Sequence, residues 1–276
     1  MSNESGRAPV GTTAGKKVST GEIQLNVVDQ GAGQPLLLVH GFPLNHSMWQ
    51  AQIAELSRDF RVIAPDLRGF GESEVTRGTV TMQQYADDLA QLLEALDVTE
   101  PVVFCGLSMG GYIGWQFVAR HRNKLAKLII ADSRAVADNE KAAAGRKETA
   151  DKVEKEGSKV VAEAMLPKLF PARDVEAGKA FVKATEAVML AAPPAGVAAA
   201  LRGMAERPDF TSELAKIDVP TLIICGAEDA IAPPAEMEGI AKAIPGGKYV
   251  SIAGAGHMAP LEKPAEVNAA IKAFLK

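Results

Sequence analysis

Short apolar runs recur along the chain, and each is soon followed by Gly, Pro or Asp. The runs are residues 36–39, 62–64, 102–105, 128–130, 222–225 and 249–252. A continuous apolar run is typical of a strand that is covered on both faces, as in a parallel sheet flanked by helices. The pattern therefore predicts a buried parallel sheet.

The segments between these runs have the three- and four-residue spacing of amphipathic helices. The clearest examples are Tyr85, Leu89, Leu92, Leu93 and Leu96 and, near the C-terminus, Val267, Ile271 and Phe274. Strands that alternate with helices predict a doubly wound α/β sheet. Residues 18–20 and 23–28 flank a Gly-Glu turn and predict an antiparallel hairpin at the edge of that sheet.

Residues 134–215 break this alternation. They contain no strand-like run, and Ala, Lys and Glu dominate the stretch EKAAAGRKETADKVEKEGSKVVAEAMLPKLF. This composition favours helices, so we predict a helical cap over residues 134–215, inserted into a core formed by residues 17–133 and 216–276. Residues 1–16 are small and polar, and we expect a flexible tail there rather than a secretory signal.

Bulk composition narrows the class of partner. The chain has 276 residues, is 47% hydrophobic and carries a formal net charge of −4 with no basic block. Nucleic acid or an anionic membrane surface would require clustered Lys and Arg, so we expect neither partner. No apolar stretch approaches the roughly 18 to 20 residues that span a bilayer. We therefore expect small-molecule partners and a cytoplasmic location, with the oligomeric state left open.

Neither a metal nor a cofactor is expected. Cys105 and Cys225 each end an apolar run, which predicts buried core thiols rather than metal ligands or a disulfide. The sequence GAGQP at residues 31–35 lacks the full glycine pattern of a dinucleotide-binding fingerprint. It also precedes a predicted strand, whereas the fingerprint would follow one.

The stretch FCGLSMGGYIGW at residues 104–115 places one hydroxyl among glycines directly after an apolar run. Its central GLSMG is a G-x-S-x-G sequence, in which a strand turns sharply into a helix and small neighbours leave room for a strained serine. A strand-like run precedes the motif and a helix-like run follows it over residues 112–120, which is the context the motif requires. We predict Ser108 to be an exposed nucleophile at the carboxyl edge of the sheet.

A serine hydroxyl needs a base within hydrogen-bonding reach and a third group that orients the base. The chain has four histidines. His257 lies in AGAGHMAPLEKP, a glycine-rich loop between the last predicted strand and the last helix, at the sheet end where catalytic residues gather. His121 lies on the polar side of a helix, His40 is expected to shape the loop after its strand, and His46 has no evident constraint. We therefore predict His257 to be the base.

The predicted acid is Asp229, which follows a buried strand in LIICGAEDAIAPP. Asp132 ends the preceding strand in LIIADS and is the rival candidate for this role. Glu228 is expected to face away from its neighbour. Asp66, in IAPDLRGFGES, is interpreted as the centre of an ion-paired, capped loop.

Two backbone N–H groups are predicted to stabilise an oxyanion beside the serine. Met109 begins the helix after Ser108, so its N–H points toward that position. The loop HGFP after residues 36–39 supplies the second donor, the N–H of Phe42, whereas Pro43 has no N–H to donate.

In these motifs the chain resembles the α/β-hydrolase superfamily from about residue 18 to residue 276. The sequences LLLVHGFP, IAPDLRGFGES, CGLSMGGYIG, GAEDAIAPP and GAGHMAPLEKP match in order and spacing. Within the superfamily the chain is similar to small carboxylesterases, enol-lactone hydrolases and cofactor-free haloperoxidases or perhydrolases. The resemblance implies an α/β-hydrolase fold with a mostly parallel eight-stranded sheet, a helical cap, and Ser108, Asp229 and His257 as nucleophile, acid and base in that chain order.

One position departs from the perhydrolase pattern. Relatives of that type tend to carry Trp after the His-Gly pair, whereas this chain has Phe42. Haloalkane dehalogenases and epoxide hydrolases share the fold but use a carboxylate nucleophile, which Ser108 disfavours.

The expected reaction is hydrolysis of a carboxylic ester or lactone by water through an acyl-enzyme. The alternatives are perhydrolysis, acyl transfer to an alcohol or carbon–carbon bond hydrolysis at the same triad, and a non-catalytic receptor on the same fold. An apolar acyl pocket is expected from cap and triad-loop residues, and Arg134 is a candidate for holding a substrate carboxylate. The candidate pocket residues are Leu166, Phe170, Met189, Ile231 and Met258.

Overall fold

The computed structural model describes residues 15–276, in which eight strands form a single sheet. The strands are β1 (Lys16–Ser19), β2 (Gln24–Gln30), β3 (Pro35–Val39), β4 (Arg61–Pro65), β5 (Val102–Leu107), β6 (Leu125–Ala131), β7 (Thr221–Gly226) and β8 (Lys248–Ile252). Every apolar run singled out in the sequence lies within one of these strands. The predicted tail lies outside the described residues except for its last two positions, the second of which, Lys16, is the first residue of β1.

The strand order is β1-β2-β4-β3-β5-β6-β7-β8. All neighbours from β4 to β8 pair in parallel, for example with Leu37 beside Phe104, whereas β1 and β2 form the predicted antiparallel hairpin at one edge. Strands β3, β5 and β7 are buried along their whole length. The continuous apolar runs therefore reflect strands covered on both faces, as a doubly wound α/β fold requires.

Eleven α-helices accompany the sheet within the described range. They are α1 (Gln50–Leu56), α2 (Met82–Ala95), α3 (Met109–Arg120), α4 (Glu140–Glu156), α5 (Lys159–Leu169), α6 (Ala172–Glu176), α7 (Ala180–Ala191), α8 (Pro194–Ala205), α9 (Pro234–Ala243), α10 (Ala259–Glu262) and α11 (Pro264–Leu275). Short 3₁₀ helices cover His46–Trp49, Arg122–Lys124 and Thr211–Lys216. In residues 15–276 no single helix is long and apolar enough to cross a bilayer, and α7 with α8 meets that length only as a pair bent by 96°.

In the chain, helices α4 to α8 come between β6 and β7, which are neighbouring strands in the sheet. We propose that residues 134–215, which contain them, are the cap and that residues 17–133 and 216–276 are the core. Because β3, β5, β6, β7 and β8 run in parallel, the loops that follow them emerge at one edge of the sheet. These loops carry all the residues predicted for catalysis.

Helix α8 packs against the main chain of the core through two glycines spaced seven residues apart, on one face of the helix. A Cβ added to Gly196 would lie 1.9 Å from the carbonyl oxygen of Gly69, and one added to Gly203 would lie 1.7 Å from that of Val80. The Val80 N–H also donates to the Ala199 carbonyl at 3.1 Å. Helix α8 therefore packs directly on core backbone atoms, which cannot move aside as a flexible side chain could.

Replacing Gly203 with Ala should lower the free energy of unfolding by about 1 to 3 kcal/mol, because the added methyl group forces α8 away from Val80. Urea unfolding followed by circular dichroism measures this change. Gly145→Ala is the matched control: its Cβ would meet no atom within 4 Å, and removing a glycine from α4 should stabilise by about 0.5 to 1 kcal/mol. Equal stability of the two variants would contradict close backbone packing at α8.

Candidate active site

Ser108 lies at the sharp turn between β5 and α3, with φ 54° and ψ −112°. This conformation is strained for a residue with a side chain and costs about 1 to 3 kcal/mol. Glycines make it possible: a Cβ on Gly106 would lie 2.3 Å from the Gly110 carbonyl oxygen, and one on Gly110 would lie 2.4 Å from that of Val39. The GLSMG sequence therefore folds as a turn in which only the central side chain has room.

Two further hydrogen bonds hold this turn. The Ser108 N–H donates to the carbonyl of Ala131 at 2.9 Å, and the Ser133 hydroxyl donates to the carbonyl of Ser108 at 2.7 Å. Both partners belong to β6 or the residues just after it. The neighbouring strand thus stabilises the strained backbone of Ser108.

The structure brings Ser108, His257 and Asp229 into one chain of hydrogen bonds. His257 Nε2 lies 2.9 Å from Ser108 Oγ, and His257 Nδ1 lies 2.8 Å from Asp229 Oδ2. The imidazole is 2% exposed and the Asp229 side chain is fully buried, whereas Ser108 is partly exposed. A hydroxyl open to solvent on one side and to an imidazole on the other has the geometry of a serine nucleophile with its base.

Asp229 is held rigidly in the loop after β7. Its Oδ1 accepts the N–H groups of Ile231 at 2.7 Å and Ala232 at 3.0 Å, so both carboxylate oxygens are occupied. Burial opposes ionisation, but His257 and the two N–H groups outweigh it and hold the pKa of Asp229 below its usual value. A buried carboxylate that stays charged can orient the imidazole and stabilise its protonated form.

Asp132, the rival acid, lies beside Asp229 without contacting the imidazole. It is fully buried with φ 47°, and its Oδ1 accepts the Gly226 N–H at 2.7 Å. Its Oδ2 is buried and has no hydrogen-bond partner within residues 15–276. Burial and the charge of Asp229 raise the pKa of Asp132 well above its usual value, so the pair carries its negative charge on Asp229.

The loop after β3 lies directly against Ser108. A Cβ on Gly41 would be 3.4 Å from the Ser108 Cβ and 2.8 Å from Leu107, so the loop needs a glycine at this position. In the part of the chain that the structure describes, the N–H groups of Phe42 and Met109 donate to no protein acceptor. Buried N–H groups rarely lack acceptors, and two of them beside a serine hydroxyl are suited to binding an oxyanion.

His40 fixes this loop instead of reacting. Its Nδ1 donates to the Gly41 carbonyl at 2.8 Å and its Nε2 accepts the Leu67 N–H at 2.9 Å, which defines a neutral ring. Complete burial lowers the pKa of His40 to about 4 and keeps it neutral. The prediction that His40 shapes its loop agrees with these contacts.

Asp66 is the centre of a capped loop, as its sequence context indicates. It accepts hydrogen bonds from the side chain of Asn26, from the Glu72 N–H, and from both the backbone and the ring of His46. The His46 Nδ1 lies 2.6 Å from Asp66 Oδ1. No local pattern indicated this partner for His46, because the two residues lie on separate loops.

The predicted pocket residues occupy different environments. Phe170 and Met189 are buried in the cap, and Phe170 packs on Phe181 with ring centroids 5.4 Å apart. Leu166 and Ile231 are half-buried, whereas Met258 is buried next to His257. The Ile231 N–H donates to Asp229, so Ile231 and Met258 are adjacent to the triad in the chain.

Arg134 forms an ion pair with an acidic side chain. Its Nε donates to both carboxylate oxygens of Glu236 on α9, at 2.8 and 3.0 Å, and its carbonyl accepts the indole N–H of Trp115. It lines a surface cleft together with Thr211, Leu214 and Ile240. This acidic partner argues against a role of Arg134 in holding a substrate carboxylate, and that role stays a prediction.

One group of potential cation ligands lies within residues 15–276: Asp132, Cys225 and Asp229, whose ligand atoms are all within 4.8 Å of one another. Burial raises the pKa of the Cys225 thiol, so this sulfur is protonated, and it donates to the Gly226 carbonyl. Asp229 is already held by His257. A cation would compete with the imidazole for Asp229, so the donor set fits a structural role better than a metal site.

Sequence analysis missed Glu262, although it lies in the quoted motif GAGHMAPLEKP. Its carboxylate accepts the backbone N–H groups of Gly256 and Met258, on either side of His257. The sequence feature that could have indicated this contact is the short separation of His257 and Glu262 within one loop and the turn that follows it. Ser133 was missed for a different reason, since its bond to Ser108 joins the residues that follow β5 and β6, which are 25 positions apart in the chain.

The sequence profile of the α/β hydrolase fold matches residues 34–264. A solved structure of a thermophilic esterase from Thermogutta terrifontis (malate bound) is 46% identical and superposes with a TM-score of 0.92, over 95% of this chain and 97% of that one. A bifunctional esterase/perhydrolase from Acinetobacter calcoaceticus is 32% identical over 86% of this chain and 90% of its own length. The 3-oxoadipate enol-lactonase 1 of Acinetobacter baylyi is 28% identical over 84% of this chain and 85% of its own length. With its eight-stranded sheet and its serine at the turn after β5, the chain belongs to the α/β hydrolase fold family.

Proposed function

We propose that the protein hydrolyses carboxylic esters or lactones through an acyl-enzyme on Ser108. The observation that carries this proposal is the continuous hydrogen-bond chain from Ser108 Oγ through His257 to Asp229, with distances of 2.9 and 2.8 Å. Similarity to an esterase, an enol-lactonase and an esterase/perhydrolase supports the same class of substrate.

In the first half of the reaction, His257 Nε2 accepts the hydroxyl proton of Ser108 as the Ser108 oxygen attacks the substrate carbonyl. The carbonyl oxygen becomes an oxyanion that receives hydrogen bonds from the N–H groups of Phe42 and Met109. Asp229 stays ionised and stabilises the imidazolium. The imidazolium then protonates the leaving oxygen, and the acyl group remains on Ser108.

In the second half, water takes the position of the leaving alcohol. His257 removes a proton from this water, and the hydroxide attacks the acyl carbonyl at the same oxyanion position. Collapse of the intermediate releases the carboxylic acid and returns the proton to Ser108. In a lactone the leaving oxygen stays attached to the acyl group, so the single product is a hydroxy or keto acid.

The acyl group is proposed to contact apolar side chains of the cap and the triad loops. Met258 and Ile231 lie beside His257 and Asp229 in the chain, and Leu166, Phe170 and Met189 belong to the overlying cap helices or the residue after them. An apolar lining with few polar groups is the usual composition of a small-molecule site. The pairing of Arg134 with Glu236 argues against a requirement for a second carboxylate on the substrate.

Perhydrolysis is a second candidate activity, supported by the 32% identity to a bifunctional esterase/perhydrolase. In that reaction hydrogen peroxide replaces water in the second half and the product is a peracid. The same triad and oxyanion donors would serve both reactions. Phe42 departs from the Trp expected of perhydrolase relatives, which favours hydrolysis.

Replacing Ser108 with Ala should lower kcat/KM for a p-nitrophenyl ester by at least about 10⁴-fold, because the nucleophile is lost. The fold should persist, because the substitution removes none of the backbone hydrogen bonds at the turn and Ala is smaller than Ser. A fluorophosphonate probe should label the wild type and not this variant. Ser212→Ala, on an exposed 3₁₀ helix, is the control and should match the wild type. A wild type that neither reacts with the probe nor turns over esters would instead support a receptor.

The two candidate acids can be separated by amide substitutions. Asp229→Asn should lower kcat by about 10⁴-fold at neutral pH, because the amide favours the wrong imidazole tautomer. Asp132→Asn should lower it by less than about tenfold, since the amide oxygen can still accept the Gly226 N–H and the imidazole keeps its partner. Steady-state kinetics with the same ester measures both effects. The reverse order would identify Asp132 as the acid.

A panel of acyl acceptors should distinguish hydrolysis from perhydrolysis and acyl transfer. With water alone the acid product should form at the full rate. Added hydrogen peroxide or short alcohols should divert only a minor share of the acyl-enzyme, because Phe42 stands where perhydrolases tend to carry Trp. Chromatographic quantification of acid, peracid and transferred ester measures this partition. A peracid yield above that of the acid would make perhydrolysis the main activity.

A further inference from the structure

We propose that Glu262 is a positioning residue that fixes the catalytic imidazole of His257 by holding the main chain on both sides of it. This inference rests on the proposed function. Glu262 Oε1 accepts the N–H groups of Gly256 at 3.0 Å and Met258 at 3.1 Å, and its Oε2 accepts the Gly256 N–H at 2.9 Å. Hydrogen bonds to an ionised acceptor are roughly twice as strong as neutral ones.

The intervening N–H of His257 is held from the opposite side. It donates to the carbonyl of Leu169, at the end of cap helix α5, at 3.0 Å. Gly256 also lies against the cap, because an added Cβ would be 2.9 Å from Pro171 and 3.2 Å from the Leu169 carbonyl oxygen. Three consecutive N–H groups are thus bound alternately by Glu262 and the cap, which leaves the backbone of this segment little freedom.

Helix α10 makes this arrangement reciprocal. The Glu262 N–H donates to the Met258 carbonyl at 3.0 Å while the Glu262 side chain accepts the Met258 N–H. In a capping box, too, an acidic side chain of the first turn accepts the N–H of the residue that precedes the helix. The position of the imidazole is therefore set by the first turn of α10.

The charge of Glu262 is sensitive to pH near neutrality. Burial raises the pKa of its carboxyl to about 7, against the N–H groups of Gly256 and Met258, which favour the ionised form. The charged groups facing it are His257, Asp174 and Arg173 of α6, Asp132 after β6, and the adjoining Lys263. As the pH falls through 7, protonation removes the charge that binds the two N–H groups, so the hold on His257 weakens.

This arrangement predicts that protonation of Glu262 adds to the loss of rate on the acid side of the pH–rate profile. Because Glu262→Gln resembles the protonated form, this protonation lowers kcat by about the same modest factor as that substitution. A plot of log kcat against pH should therefore fall more steeply below about pH 7 in the wild type than in a variant whose residue 262 cannot ionise.

The test uses Glu262→Gln, Glu262→Ala and the control Glu266→Gln in the full-length chain, with kcat and KM for a p-nitrophenyl ester measured from about pH 5 to about pH 9. Glu262→Gln keeps one acceptor oxygen and should show the acid limb of lower slope with a modest loss of kcat at high pH. Glu262→Ala should lose roughly 10- to 100-fold in kcat, because a misplacement of about 1 Å costs about that much, with KM nearly unchanged. Glu266 is exposed on α11, and its variant should match the wild type.

A spectroscopic measurement covers the case in which Glu262→Ala is poorly folded and gives no rate. The proton shared by His257 Nδ1 and Asp229 should give a low-field resonance in the proton NMR spectrum of the wild type. In Glu262→Gln it should still be detected at high pH but be broader than in the wild type, because the neutral amide binds the two N–H groups less strongly than the carboxylate. An unchanged acid-limb slope and an unchanged resonance in Glu262→Gln would overturn the positioning role.

The outcome also separates this inference from the proposed function. A wild type that reacts with a fluorophosphonate and turns over esters, with Glu262 variants indistinguishable from it, would refute the role of Glu262 alone. A wild type without labelling or turnover would refute the esterase proposal. In that case the resonance alone would still report whether Glu262 controls the orientation of His257.

Discussion

The left-handed backbone of Ser108 is the constraint on which the rest of the site depends. It directs the hydroxyl out of the sheet edge and leaves the N–H of Met109 without an acceptor among the described residues. The strained backbone is held by hydrogen bonds to Ala131 and Ser133. The close packing of the turn also requires glycine at positions 106 and 110, because a Cβ at either would clash with backbone atoms. A chemically useful conformation is thus held by its surroundings, as is typical of strained residues at functional sites.

The other members of the site are brought to this turn by the topology of the sheet. Ser108 and His257 are 149 positions apart in the chain, yet they meet because β5 and β8 end at the same edge. The strand order brings these loops to the same edge of the sheet but does not fix the distances between their side chains. The final geometry depends on short-range bonds within each loop, from Ile231 and Ala232 to Asp229 and from Gly256 and Met258 to Glu262.

The sequence predicts the strands and the turn at Ser108 because the patterns that indicate them lie within short segments of the chain. Strands β3, β5 and β7 are continuous apolar runs, and the glycines of GLSMG indicate a sharp turn, so the fold and the turn at Ser108 could be inferred directly. Side-chain contacts between segments that are far apart in the chain produce no recognisable local sequence pattern. The ion pair of Arg134 with Glu236 and the contact of His46 with Asp66 each join residues from separate segments of the chain, so the sequence did not indicate either pairing.

The placement of charge around His257 depends on how many hydrogen-bond donors reach each of three carboxyl groups, of which Asp132 and Asp229 are buried and Glu262 is half-buried. Asp229 has both oxygens occupied by donors, Glu262 binds two N–H groups, and Asp132 binds one while its other oxygen has no partner within residues 15–276. Desolvation penalises all three, so donors decide which is ionised. The pKa is lowered in Asp229, raised to about 7 in Glu262 and raised well above its usual value in Asp132, where the charge of Asp229 adds to the effect of burial. The negative charge is thereby concentrated on Asp229, which directly contacts the imidazole.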